Sequence, residues 1–298
     1  MTESAVTVEN LVVTVPGATG PVRVVDDISF EIAAGNVLGI VGESGSGKSL
    51  TALSLMRLHR SPVRIDNGFI RVAGTDVRSL AERELDAFRG NTIAMIYQNP
   101  MSALNPVLTI GNQLVEAIRI HNKVSRRVAR NQATDMLAEV GIDRPADRLD
   151  SYPFELSGGM LQRVVIAMAM SCNPRVLIAD EATTALDVTT QARVLDLLRG
   201  LIEQHDMAVL FITHDLAVAS EFCDDIQVMY SGRIVERGTA REVFEDPRHP
   251  YTLGLLGSLC TLDMELDRPI PTMPRDIAEL SRLAPAIDHA ALEVQELR

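Results

Sequence analysis

Short apolar runs alternate with longer amphipathic stretches along most of the chain. Residues 5–15 are rich in Val, and Pro16-Gly17-Ala18-Thr19-Gly20-Pro21 reads as a turn. Residues 22–25 and 28–32 continue as short strands, and Ala33-Ala34-Gly35-Asn36 reads as a second turn. An apolar strand over 37–41 runs straight into a glycine-rich loop. A helix is expected over 48–58, where Leu50, Leu53 and Met56 fall at helical spacing. Residues 65–80 suggest further short strands, turning at Asn67-Gly68 and at Gly74.

From 110 to 140 the spacing predicts helix, interrupted near His121-Asn122. Gly141, Pro145 and Pro153 break the next stretch of chain. A helix is expected from about 159 to 171, closed by Asn173-Pro174. A buried-type strand over 176–179, an amphipathic helix over 190–204 and another buried-type strand over 208–213 come next. Strands alternating with helices imply a parallel sheet with crossover helices. The β-rich start and the helical stretch 110–170 read as appended subdomains. From about Thr261 the chain carries Pro269, Pro271, Pro274 and Pro285, and reads as an extension of the main domain.

Composition narrows the function classes. The 298 residues can bury a sizeable core. The net charge of −12, from 28 basic and 40 acidic residues, disfavours nucleic acid as a partner. The three cysteines (Cys172, Cys223, Cys260) are far apart and form no CxxC, as expected of reduced thiols in an intracellular protein. The longest apolar run, 164–170, is far short of the ~18 residues of a membrane span. With Glu3 and Glu9 near the start, no secretion signal is evident. The chain is expected to be soluble and intracellular, with any membrane role reached through a partner.

Candidate chemistry begins at residues 42–49, Gly-Glu-Ser-Gly-Ser-Gly-Lys-Ser, a complete phosphate-binding P-loop set between a strand and a helix. Gly42, Gly45 and Gly47 let the backbone wrap an anion, and Glu43, Ser44 and Ser46 complete the cradle. The following helix adds its positive end. Lys48 supplies a charge to the β and γ phosphates, and Ser49 a hydroxyl to Mg²⁺. The strand ending in Asp180-Glu181 fits the second half of such a site. Asp180 would hold Mg²⁺ directly or through water, and Glu181 is a candidate general base. Alone, the pair would read as surface carboxylates at a strand end. His214 and Gln98 also follow short apolar strands. The first is placed to reach a γ-phosphate, the second to contact Mg²⁺ or the attacking water. Ser157, before Gly158-Gly159 and Met160, is a good helix N-cap that leaves an anion-binding helix end.

In this order, the P-loop, Gln98, Leu156-Ser157-Gly158-Gly159-Met160, Asp180-Glu181, Ala185-Leu186-Asp187 and His214 resemble the nucleotide-binding subunit of an ABC transporter over about residues 5–258. The resemblance implies a P-loop NTPase (RecA-like) α/β fold. It has a parallel-sheet core, an N-terminal antiparallel β subdomain and an inserted α-helical subdomain over about 99–172. Residues 1–258 would form the nucleotide-binding domain and 259–298 a C-terminal extension. The implied cofactors are ATP and Mg²⁺. Ser157, Gly158, Gly159, Gln162 and Asp187 would close on ATP held by the P-loop of a second subunit.

Residues 98–106, Tyr152 to Met160 and His249-Pro250-Tyr251-Thr252 further resemble dipeptide, oligopeptide and nickel importers. That implies peripheral attachment at the cytoplasmic face of the membrane. The partners would be two transmembrane permease subunits, a second and different ATPase, and an extracytoplasmic substrate-binding protein, with coupling helices docking near residues 99–155. A soluble ABC-type ATPase acting on nucleic acid or ribosomes is the alternative. The chain departs from the subfamily in carrying Phe154 for His and Leu161 for Arg. Val15 stands near the place of the adenine-stacking aromatic. With Cys260 alone in the tail, no iron–sulfur cluster is expected.

Overall fold

The structure is a computed structural model that describes residues 4–18, 20–184 and 186–257. The tail, Cys260 and Ala185 lie outside the described residues. Strands β1 (Ser4–Gly17) and β2 (Gly20–Ala33) form a long antiparallel hairpin, with Pro16 opposite Pro21 and Gly17 opposite Gly20. Strand pairing therefore reaches into the turn expected over 16–21. The two strands expected at 22–25 and 28–32 are one. Asp27, at φ 59°, makes a bulge between them, where the register shifts from Leu11–Ile28 to Val13–Val25.

Strand β3 (Val37–Val41) leads to α1 (Lys48–Leu55), which ends three residues before the expected Leu58. Strand β4 (Arg64–Val72) contains Asn67-Gly68 as a bulge against β1, not as a turn. Strand β5 (Thr75–Asp76) completes a four-stranded antiparallel sheet in the order β2-β1-β4-β5. Helix α2 (Glu82–Asn91), which the hydrophobic pattern did not reveal, precedes β6 (Ile93–Ile96).

Five helices then run in succession: α3 (Pro100–Ala103), α4 (Ile110–His121), α5 (Arg126–Glu139), α6 (Pro145–Arg148) and α7 (Gly158–Met170). Side chains set their starts, since the Thr109, Ser125 and Ser157 oxygens accept from the N–H groups of Asn112, Val128 and Met160. The remainder alternates as β7 (Val176–Asp180), α8 (Val188–His205), β8 (Ala208–Thr213), α9 (Leu216–Phe222), β9 (Asp225–Tyr230), β10 (Arg233–Thr239), α10 (Ala240–Glu245) and α11 (Pro250–Gly257). Helix α8 begins two residues before the expected Thr190 because Asp187 caps it.

The main sheet has the order β10-β9-β3-β8-β7-β6. Its strands are parallel except β10, which pairs antiparallel with β9. Both faces are covered, which explains the unbroken apolar runs. Val37 and Val41 of β3 join a core shared with α4, α5, α7 and α8. Leu38 and Ile40 join the opposite core, under α1, α2 and the antiparallel sheet. The expected α/β architecture, with its antiparallel β layer and helical insertion, is what the chain forms.

Candidate active site

Parallel strands place their C-terminal ends at one edge of the sheet, and ligands of such sheets bind there. The P-loop follows β3, Asp180-Glu181 close β7, His214 follows β8 and Gln98 follows β6. Four segments far apart in the chain thus share one edge.

The P-loop is shaped for an anion. Gly47 has φ 111°, and a Cβ there would lie 2.5 Å from the Val24 carbonyl oxygen, so only glycine fits. As N-cap it offers α1 no side-chain hydrogen bond, which leaves the first N–H groups of the helix open. The Ser46 hydroxyl is buried without a partner among the described residues. Lys48, only 4% exposed, donates to the carbonyls of Gly42 at 2.6 Å and Glu43 at 2.8 Å. Its burial lowers the Lys48 pKa, and the charges of Glu181 and Asp180 oppose that shift.

The Ser49 hydroxyl donates to Asp180 Oδ1 at 3.1 Å, bringing together two oxygens of the kind Mg²⁺ prefers. Burial pushes the Asp180 carboxyl up, against the Ser49 hydrogen bond and the Lys48 charge, which hold it down. Among the described residues, no group of three or more His, Cys, Asp or Glu could hold a metal ion. The residues fit a nucleotide triphosphate and its Mg²⁺.

Glu181 adopts φ 49°, a left-handed conformation unusual for a side-chain-bearing residue and frequent at functional sites. Its N–H donates to Ile212 O at 2.9 Å, which ties it to β8. Around its carboxylate stand Gln98 Nε2 at 2.7 Å, Thr184 Oγ1 at 3.4 Å and His214 Nδ1 at 3.6 Å. Sequence reasoning placed Gln98 and His214 near the reaction centre. It did not pair either with Glu181, and it missed Thr184.

The second group of expected site residues lies elsewhere. Ser157, Gly159 and Thr190 line a separate pocket of about 310 Å³ with Arg148, Arg163 and Arg193, and no P-loop residue reaches it. The Ser157 hydroxyl caps α7 as expected. A Cβ on Gly158 would meet nothing within 4 Å, so that helix end is open. A Cβ on Gly159 would lie 2.7 Å from the Thr190 methyl, so this glycine serves close packing on α8. Gln162 is buried, its amide nitrogen without a partner among the described residues. Asp187 accepts from Thr190 N at 3.0 Å and Thr190 Oγ1 at 2.7 Å, and the Thr190 hydroxyl holds its carboxyl below the usual range. One further contact is invisible to sequence reasoning: the Tyr251 hydroxyl accepts the Glu43 N–H at 3.0 Å. Its signal was the His249-Pro250-Tyr251-Thr252 stretch, recognisable without any hint of where it packs.

Comparison with known proteins agrees with this geometry. Residues 25–184 match the ABC transporter family, and residues 235–283 match the oligopeptide/dipeptide transporter C-terminal region. A Brucella melitensis protein provisionally named as a peptide import ATP-binding protein is 48% identical over 278 residues, covering 93% of this chain and 83% of the relative. The dipeptide transport ATP-binding protein DppD of Bacillus subtilis is 46% identical over 279 residues, covering 92% of this chain and 83% of the relative. The ATP-binding cassette MJ0796, solved as a dimer in a post-hydrolysis state bound to ADP and Pi, superposes with a TM-score of 0.70. It is 26% identical, over 79% of this chain and 99% of that one. The chain therefore belongs to the ABC transporter family, as one of its ATP-binding ATPase cassettes.

Proposed function

We propose that this cassette hydrolyses ATP to energise the import of peptides, or of a related small solute such as a nickel chelate. The observation that carries this is one chain joining an ATP site to a peptide-transporter C-terminal region. Ser49, Asp180, Glu181, Gln98 and His214 gather at the P-loop edge, and residues 235–283 match the oligopeptide/dipeptide transporters. The Brucella and Bacillus relatives are named for peptide import and dipeptide transport, which favours this over action on nucleic acid or ribosomes.

Mg²⁺, held by Ser49 and Asp180 with Gln98 in reach, would neutralise charge on the phosphates. The protein's own residues do the rest. The P-loop amides and Lys48 bind the phosphates, and Glu181 takes a proton from the attacking water. His214 orients the Glu181 carboxylate and the terminal phosphate. Ser157 and the open Gly158 end of α7 form half of a second nucleotide site, completed by another ATPase subunit. Asp187 would sit at that junction.

No helix among the described residues is long and apolar enough to cross a membrane. The cassette would work at the cytoplasmic face through two permease subunits. Met101, Val107, Tyr152 and Phe154 are exposed between α3 and the start of α7, and Tyr152 and Phe154 stack at 5.5 Å. This apolar surface, within the expected 99–155 region, is where the permeases would dock. An extracytoplasmic binding protein would deliver the solute.

The test is affinity purification of the tagged chain from detergent-solubilised membranes, followed by mass spectrometry. Two polytopic proteins, a second ATPase and a binding protein are expected to co-purify. Recovery of ribosomal or DNA-associated partners alone would overturn the transport assignment.

A further inference from the structure

Tyr251 sits on α11, inside the stretch that matches the peptide-transporter C-terminal region. It is fully buried, and its hydroxyl takes the N–H of Glu43, 208 residues away in the chain. The same Gly42–Glu43 peptide unit carries a second contact, because the Gly42 carbonyl accepts from Lys48 Nζ at 2.6 Å. The next carbonyl, of Glu43, accepts from Lys48 at 2.8 Å and from the Ser46 N–H at 3.2 Å. An ammonium has three donors. Two rest on these carbonyls, and one remains free to meet a phosphate.

Tyr251 is itself held. Its ring packs on Tyr230, at the end of β9, with centroids 4.5 Å apart. Its own N–H donates to His249 Nδ1 at 3.2 Å. The N–H groups of Arg248 and His249 donate to the Glu236 carboxylate on β10, at 2.6 and 3.1 Å. A continuous set of contacts thus runs from the edge strand through the start of α11 to the P-loop. Burial pushes the Tyr251 phenol up to about 12, so the contact stays neutral at physiological pH.

We propose that Tyr251 is a positioning residue of the nucleotide site: it fixes the peptide that aims Lys48, and so ties ATP affinity to the C-terminal region. This rests on the assignment of residues 42–49 to ATP. A loop that binds phosphate through backbone groups gains affinity from being ordered beforehand, because ordering it on binding costs free energy. Without the Tyr251 hydroxyl, the Gly42–Glu43 peptide is free to tilt and the lysine loses its aim.

The test compares Tyr251→Phe, which keeps the ring and its packing on Tyr230, with Thr252→Val on the same helix. The Thr252 hydroxyl is buried without a partner among the described residues, so Thr252→Val alters the buried face of α11 while removing no hydrogen bond to the P-loop. MgATP binding is measured on the full chain, and ATPase kinetics on the assembled transporter. Tyr251→Phe is expected to weaken MgATP binding roughly 3- to 10-fold, the loss of one ordinary hydrogen bond. KM should rise in parallel while kcat stays within about twofold. Thr252→Val should bind as the wild type does. A purely structural tyrosine would lower the melting temperature of Tyr251→Phe and leave affinity unchanged, which would overturn the proposal. Equal weakening in both variants would overturn it as well. Wild-type protein that fails to bind MgATP would overturn the ATP-site assignment and this inference with it.

Discussion

Gln98 donates a 2.7 Å hydrogen bond from its amide nitrogen to Oε2 of Glu181. The two residues follow adjacent strands, β6 and β7, and are 83 positions apart in the chain. The contact joins the start of the helical insertion to the candidate base, so a shift of the segment after β6 is felt at Glu181.

Replacing that base should separate binding from chemistry. Glu181→Gln keeps the shape and the Gln98 contact but cannot accept a proton. ATP hydrolysis by the assembled transporter should fall about 10²- to 10⁴-fold, the usual contribution of a general base. MgATP affinity should change little. Steady-state ATPase assays beside equilibrium binding decide it, and normal turnover would move the base elsewhere.

Lys48→Ala acts on binding itself. Hydrogen bonds to charged groups contribute about 1.5–3 kcal/mol, or roughly 10- to 150-fold in affinity. Titration of the full chain with MgATP should show a loss of that order. Unchanged affinity would reject the phosphate role of residues 42–49.

The two glycines at the start of α7 should behave differently. A methyl on Gly159 meets Thr190, whose hydroxyl is tied to Asp187 and cannot turn away. Overpacking of this kind costs about 1–3 kcal/mol, and Gly159→Ala should melt several degrees lower. Gly158→Ala has open space and should melt as the wild type does. It should still impair hydrolysis in the assembled complex if that helix end faces a nucleotide. Thermal melts of both variants beside ATPase assays test the pair.

Asp225, at the start of β9, carries a carboxyl raised by burial and by the charges of Asp224 and Glu242. A folded-state pKa above the unfolded one means that ionising the group costs stability. The penalty is absent below the ordinary carboxylate pKa, grows as pH rises to the folded value, and is full above it. Asp225→Asn should therefore melt higher than the wild type at pH 7. The gap should close as the pH falls below about 4, the unfolded carboxylate value. A gap independent of pH would show that charge is not its cause.

The sequence by itself determined the family, the sheet and which residues are candidates for the chemistry. Strands 37–41, 176–179 and 208–213 were legible because strands buried on both faces must be apolar throughout. The P-loop was legible because Gly47 and Lys48 are needed by local geometry and charge. What resisted depends on partners distant in the chain. The hairpin reached into the expected turn because Pro16 and Pro21 pair across it. Helix α2 stayed hidden because it buries little more than Leu85 and Phe88 among charged residues. Only the tertiary structure decided that Gln98 and Thr184 meet Glu181, that Gly159 makes room for Thr190, and that Tyr251 reaches the Glu43 N–H. Hydrogen bonds and methyl contacts act over about 3–4 Å whatever the sequence separation. Local pattern reports the period of burial, whereas packing chooses which buried groups touch.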